Sequence, residues 1–523
     1  MAGQQGQYAD RAESVGEVVA HGTTTPTATV IAKTEIGLPT SSIERMLFAA
    51  LEHEGVRYCH WKSNIRLDQT LCGLQDIDLL VHPSDSGAFQ RIINECGFKL
   101  TVSRMGAGHP GVFHALAWDN DHGRLLDLHA YHQLISGDSF VKSFRFPVEE
   151  DMLARSTSLM GVRIPDPSSE LVLFLIRILL KHISIVETLK VNAHYDECTE
   201  ELAWLLQRSE IAEAAAVSDN WFPSLRIPLP DMIECVAKGS IPARMAMGMR
   251  VAWALRHQRR LGHVAGLCSR IMRTGKHYAV RLRSRRNLTL LTGGAWIALV
   301  GPKGTGKSTL ASLLAKRLGK NLDVKTIHVG KPPATWLSML PRLLLPAARK
   351  ALPNERLSQY EKPERRAERR YSTYFIIGKL IVAYDRQRLL DRSMRAMASG
   401  TIVISDRCPG TNAKGLDGSA FDDLAVTRAS SRVQRWLMER ERAIYRQLPQ
   451  PRLVLKLNAP IEKAIERDLA RRKPGGPDPS AIQRRWTLES EAEFAKSTVC
   501  QIDTDGDIEE TLRAVVTRVW QHV

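Results

Sequence analysis

Trp296-Ile-Ala-Leu-Val-Gly-Pro-Lys-Gly-Thr-Gly-Lys-Ser-Thr309 decides how the rest of this 523-residue chain is read. The apolar run from Ala295 stops at Gly301, and Gly306, Lys307 and Ser308 follow after four intervening residues. A helical apolar face then begins at Leu310, Leu313, Leu314 and Leu318, closed by Gly319. The order is strand, Gly-x-x-x-x-Gly-Lys-Ser, helix. Glycines let backbone N–H groups turn inward around a polyphosphate, and the helix N-terminus adds the positive end of its dipole. Gly301, Gly304, Thr305, Gly306, Lys307, Ser308 and Thr309 are therefore the expected nucleotide-binding residues. Lys307 is expected to reach the β- and γ-phosphates and the Ser308 hydroxyl to ligate Mg²⁺, so ATP and Mg²⁺ are the expected cofactors.

Working outward, the length suits two to four domains. No apolar run approaches the roughly 20 residues that span a bilayer; Leu171 to Leu180 is too short and contains Arg177. The start lacks a basic-then-apolar signal pattern. Eight cysteines are scattered without a C-x-x-C or zinc spacing, which fits reduced thiols and a cytoplasmic location. The net charge of +17 is concentrated: from Cys235 to Asn287 there are thirteen Lys/Arg and no Asp/Glu.

Residues 1–38 read as a disordered tail rich in Gln, Gly, Thr and Ala. An amphipathic helix follows from Ser41, with Ile43, Met46, Leu47 and Leu51 on one face. In Leu71-Cys-Gly-Leu-Gln-Asp-Ile-Asp-Leu-Leu-Val81, Asp76 and Asp78 fall on one face of a strand. Two like charges there call for a cation between them, and a divalent metal is the usual answer. Asp127, in Arg124-Leu-Leu-Asp-Leu-His129, completes a three-carboxylate cage suited to two-metal nucleotidyl transfer; a plain polar strand face is the other reading.

Gly73 followed by Asp76-x-Asp78, and a later strand with Asp127, resemble the minimal nucleotidyltransferase fold related to polymerase β, over roughly 41–165. The resemblance implies that Asp76, Asp78 and Asp127 hold Mg²⁺ and a nucleoside triphosphate. His60-Trp-Lys-Ser63 stands where that family places a Gly-Ser pair, which makes Lys62 and Ser63 candidate phosphate contacts.

The stretch 166–290 reads as a basic helical region. A helix from Glu170 through His182 is apolar nearly all round and so buried; further helices are expected at 200–207, 212–217 and 243–261. The acid-free segment 235–287 has three readings: a solvated linker, peripheral contact with an anionic membrane, or nucleic-acid contact.

Beyond the glycine loop, Asp323 to Gly330 reads as a strand, residues 335–370 as a basic stretch, and 372–398 as a long helix containing Tyr384-Asp385-Arg386. Gly400-Thr-Ile-Val-Ile-Ser-Asp-Arg-Cys-Pro409 places Asp406 and Arg407 at a strand's carboxyl end, where open α/β sheets bind ligands. Asp406 is expected in the Mg²⁺ shell and Arg407 on phosphate. A strand at 452–458 leads into a helix carrying Arg467, Arg471 and Arg472, before Gly475-Gly-Pro477. Those arginines fit a closing lid that clamps a transferring phosphoryl group, or an ordinary charged surface.

The glycine loop, the Asp-Arg strand, the Arg-rich helix and Gln501-Ile-Asp-Thr-Asp505 together resemble the thymidylate kinase group of P-loop kinases, over 291–523. That implies ATP·Mg²⁺-dependent phosphoryl transfer to a nucleotide-like or other small-molecule acceptor. Lys303, and Cys408-Pro409 after the Asp-Arg pair, depart from the pattern and leave the acceptor open. The expected architecture is α/β multidomain: a tail (1–38), an α+β nucleotidyltransferase-like domain (39–165), a helical middle region (166–290) and a P-loop NTPase fold with a parallel sheet (291–523). Two alternatives stand beside the kinase: an ATP-binding regulatory switch without an acceptor, and a nucleotidyltransferase in the N-terminal part acting on a protein, sugar or RNA.

Overall fold

The computed structural model describes residues 42–103, 108–283, 288–302, 304–336, 338–339, 343, 368–409, 417–470 and 493–523. The expected tail, Lys303, Arg471, Arg472 and the glycine-proline stretch after them lie outside the described residues. The chain divides into two compact units between 287 and 288.

In the first unit five strands, β1 (Tyr58–His60), β2 (Ile77–Val81), β3 (Lys99–Ser103), β4 (Val112–Asp119) and β5 (Arg124–Tyr131), lie side by side as β1-β2-β5-β4-β3. Only β2 and β5 among them run parallel. All five residues of β2 are buried, and α1 (Ser42–His53) packs Leu47, Phe48 and Leu51 into the same core. Met46, expected on that face, is exposed, and Phe48 takes its place.

α2 (Pro167–Lys181) starts where Asp166 accepts the Ser169 N–H, with Pro167 at a position that needs no donor. Its residues Leu171 to Ile176 are buried on every side. They share one core with Trp61, Tyr131, Phe144 and Phe146 from the strand region and with the helices Tyr195–Arg208, Ile211–Trp221, Leu229–Lys238 and Ile241–Ala254. The helical stretch is thus part of the first unit's core, because a helix apolar all round needs neighbours on every side. Pro228 and Pro230 look like breakers in the sequence, yet the helix Leu229–Lys238 begins there. They sit at its start, where a missing N–H does no harm. The unit's last helix is α3 (His263–Arg283).

The second unit holds β6 (Trp296–Val300), β7 (Val324–His328), β8 (Ile402–Asp406), β9 (Leu453–Asn458) and β10 (Thr498–Asp503), in the order β7-β8-β6-β9-β10. Every pairing is parallel. Its helices include α4 (Lys307–Leu318), α5 (Thr373–Ala398), α6 (Ile461–Ala470) and α7 (Ile508–His522), with a further helix, Arg432–Gln447, packed on α5. Ala383 and Leu390 of α5 pack with Trp296, Ala298 and Val300, and α4 packs against β7, β8 and α7. Burial on both faces explains why β6, β8 and β9 read as apolar runs, whereas the edge strands β7 and β10 are largely exposed and carry polar residues. No helix among the described residues is long and apolar enough to cross a membrane.

Candidate functional site

Between β6 and α4 the backbone adopts positive φ at Gly301 (141°), Gly304 (93°) and Gly306 (84°), a region side chains avoid. A Cβ at Gly301 would meet Leu457 O at 2.3 Å, and one at Gly304 would meet Ala464 O at 2.3 Å. The loop is therefore pressed against the end of β9 and the start of α6, and only glycine fits. Thr305 Oγ1 and Lys307 Nζ both donate to Pro302 O, at 2.8 and 2.7 Å. Gly306 caps α4, whose first-turn N–H groups have no acceptor within the helix. Curled amides, a buried ammonium and a helix start make a concave site for an anion.

β8 brings the acid to this loop. Asp406 stands opposite Leu299 of β6 and His328 of β7 in register, so its carboxylate emerges at the carboxyl edge of the sheet. Ser308 Oγ donates to Asp406 Oδ2, while Asp406 Oδ1 is buried without a hydrogen-bond partner. An orphaned carboxylate oxygen beside a hydroxyl fits a hard, oxygen-seeking dication. Arg407 has a φ of 79°, rare for a side-chain-bearing residue. Its N–H donates to Leu299 O at 3.0 Å, and its guanidinium lies 3.5 Å from Asp417 Oδ2. Arg467 donates to Thr504 O at 3.1 Å, at the exit of β10.

The pair Asp385-Arg386, inside α5, organises this edge. Asp385 accepts from Thr335 Oγ1 at 2.7 Å and Ser338 Oγ at 2.8 Å. Arg386 donates to Val329 O at 3.0 Å and to Asp417 O at 2.6 Å. Both are buried, so α5 fixes the chain leaving β7 and, through Asp417, the Arg407 side chain. The available signal was an adjacent acid and base in the interior of a long helix whose remaining pattern buries that face.

In the first unit the three expected carboxylates converge on one imidazole. His129 Nδ1 is 3.3 Å from Asp78, and its Nε2 is 3.4 Å from Asp127 Oδ1 and 4.0 Å from Asp76. Asp76 precedes β2 and is exposed; Asp78 lies within it and is buried. Lys62 Nζ lies 2.8 Å from Asp78 Oδ1. The charge conflict expected on this face is thus answered by Lys62 and His129. Burial alone would raise Asp78, yet Lys62 and His129 hold it well below the usual carboxylate range. Burial likewise opposes a charge on His129, but hydrogen bonds to Asp127 and Asp78 push it up to about 10. His114, directly opposite in register, is pushed down to about 4 by burial and by the charge of His129.

His114, Asp127 and His129 each offer a ligand atom within 4.8 Å of the others. Two imidazoles and a carboxylate make a donor set for a transition metal rather than for Mg²⁺. Nothing in the sequence pattern pointed to His114, because its place opposite His129 is a matter of strand register. Around the neighbouring Trp61–Tyr131 pair, Lys62, Lys142 and Arg177 lie 4.8–5.6 Å from the rings. Lys181 is pushed down to about 8, by burial first and then by Arg177 and Lys62. His182, at the end of α2, is buried with its Nδ1 on Ile178 O at 2.8 Å.

No protein-family model matches the chain, and no curated protein matches it. Among solved structures, a thymidylate kinase from Candida albicans is similar over 44% of this chain and 92% of its own, with 18% identity and a TM-score of 0.27. A likeness at that level decides nothing about activity.

Proposed function

We propose that the second unit is an ATP·Mg²⁺-dependent phosphotransferase of thymidylate-kinase type, acting on a nucleotide-like or other small-molecule acceptor. The observation that carries this is the meeting of the Gly301–Thr309 loop with Asp406 at the carboxyl edge of a parallel sheet. Lys307 Nζ rests on the loop's own Pro302 carbonyl, and swinging to a phosphate oxygen replaces that bond with a charge-assisted one. The amides of the loop and of the first turn of α4 orient the phosphates. Ser308 and Asp406 are the residues that would hold Mg²⁺, which supplies neutralisation of charge on the phosphate oxygens. Arg407, aimed by Asp417, and Arg467, Arg471 and Arg472 are the proposed cations around the transferring group.

The test is a screen of nucleotides, nucleosides, sugars and sugar phosphates with ATP·Mg²⁺, following ADP release. Acceptor-dependent release supports transfer. ATP loss at one basal rate with every acceptor points instead to a nucleotide-driven switch. A second activity in the first unit, nucleotidyl transfer, is favoured by the convergence of Asp76, Asp78 and Asp127. Asp78→Asn with Lys307 intact shows which unit carries any product formed.

A further inference from the structure

One side of α3 is tied to the body of the first unit. Arg270 Nε lies 3.3 Å from Asp138 Oδ2, Arg273 Nη1 donates to Phe140 O at 3.0 Å, and the His277 ring meets Phe140 edge-on at 5.3 Å. These positions, three and four apart, form one helix face. Roughly a third of a turn away run Val264, Leu267, Ile271, Tyr278 and Leu282, spaced three, four, seven and four apart, all 56–89% exposed. A single exposed Leu is ordinary, but a stripe of large apolar side chains marks an interaction surface.

The charge around the stripe is one-sided. Lys276 is exposed on the same helix, and the whole segment 235–287 has no acid. The helix Ile241–Ala254 exposes Met249 and Trp253, and Arg256 lies 4.4 Å over the Trp253 ring. Exposed Trp, Leu and Ile among Lys and Arg is the composition of side chains that sit at a headgroup boundary.

Three occupants can be weighed. Nucleic acid would use the cations but give Leu267, Ile271 and Leu282 nothing apolar to enter. A second copy of this chain would cover the stripe but set like cations against one another, since a two-fold contact apposes the same patch. An anionic lipid surface satisfies both features: the stripe enters the acyl boundary while Lys and Arg stay among the headgroups. We propose that α3 docks this protein on an anionic membrane surface, lying in the plane of the interface with the Val264–Leu282 stripe inserted.

The experiment is co-sedimentation of the full chain with phosphatidylcholine vesicles containing about 30% phosphatidylserine, at about 0.1 M salt. Binding is expected there and at least about tenfold weaker to phosphatidylcholine alone. Leu267→Glu/Ile271→Glu is expected to abolish it with an unchanged melting temperature, since both side chains face solvent. Lys276→Gln is expected to weaken it about fivefold. The proposal is overturned by no sedimentation with either vesicle, equal binding to both, unchanged binding by the double-glutamate variant, or a parent dimer that this variant dissociates. Tighter binding of duplex or single-stranded nucleic acid, indifferent to the double-glutamate change, would also overturn it by assigning the cations to phosphate backbones. ATP turnover enters none of these readouts, so failure of the phosphotransferase reading leaves the result intact.

Discussion

The two units gather charge at a sheet in opposite ways. In the second, the polar groups are mostly main chain: positive-φ glycines and the start of α4 turn amides inward, and Lys307 and Asp406 complete the arrangement. In the first, they are side chains aligned across three strands, with Asp78, His129 and His114 in one row of β2, β5 and β4. A main-chain site shapes itself to a ligand that brings the opposite charge. The side-chain site largely neutralises itself, because Lys62 and His129 already answer Asp78 and Asp127.

The strongest challenge to this contrast is Lys307→Ala. Turnover is expected to fall roughly 10²–10³-fold, about 3–4 kcal/mol of transition-state stabilisation. Denaturant midpoints should barely move; unchanged turnover would remove the second unit's loop from the chemistry. Next in size is Lys62→Met, which leaves Asp78 buried with one partner fewer. Breaking a buried pair this way is expected to destabilise the first unit by roughly 3 kcal/mol, while Lys62→Met/Asp78→Leu recovers most of it. Equal losses in the single and double variants, by chemical denaturation, would show that the pair is not coupled.

The imidazole pair sharpens the comparison through pH. His129 is raised from about 6.5 in the unfolded chain to about 10 in the fold. Its contribution is therefore complete below about pH 6.5 and lost as pH climbs towards about 10. His114 is depressed to about 4, so its effect is reversed: stability is lost as pH falls from about 6.5 towards 4. First-unit stability is expected to peak near neutrality and to decline on the alkaline side as His129 loses its proton. His129→Gln should flatten the alkaline limb; a limb of unchanged slope would mean that another group titrates there. The smallest effect expected is that of Arg467→Ala. If the side chain only holds Thr504 O, stability falls by about 1 kcal/mol and turnover holds. A fall in turnover beyond about tenfold at constant stability puts the guanidinium on phosphate.

The same contrast explains what could be read in advance. Gly301, Gly304, Gly306, Lys307 and Ser308 are consecutive or nearly so, and their placement follows from backbone geometry and one helix start. The central strands β6, β8 and β9 were legible because burial on both faces makes them apolar over most of their length. Asp406 could be placed because a strand's end is visible in a composition change. In the first unit, Asp76, Asp78 and Asp127 were visible as acids, but not what answers them. Lys62 lies on a loop before β2, and His114 faces His129 only because β4 and β5 pair in one register rather than the next. Asp385 and Arg386 were similarly opaque, since their partners, Thr335, Ser338, Val329 and Asp417, come from segments far away in sequence.

The strand that feeds the glycine loop is first in its sheet by sequence and central by position. Trp296 Nε1 reaches Ser405 Oγ at 2.8 Å across 109 positions of chain, and β9 on the other side comes later still. β6 therefore gains its neighbours only after most of the unit has been synthesised. Such distant pairings must overcome loop-closure entropy before any contact rewards them, which slows folding. Until then Trp296–Val300 is an unpaired apolar segment on the nascent polypeptide. The second unit is accordingly the one expected to acquire its structure slowly and to need protection from aggregation while it does.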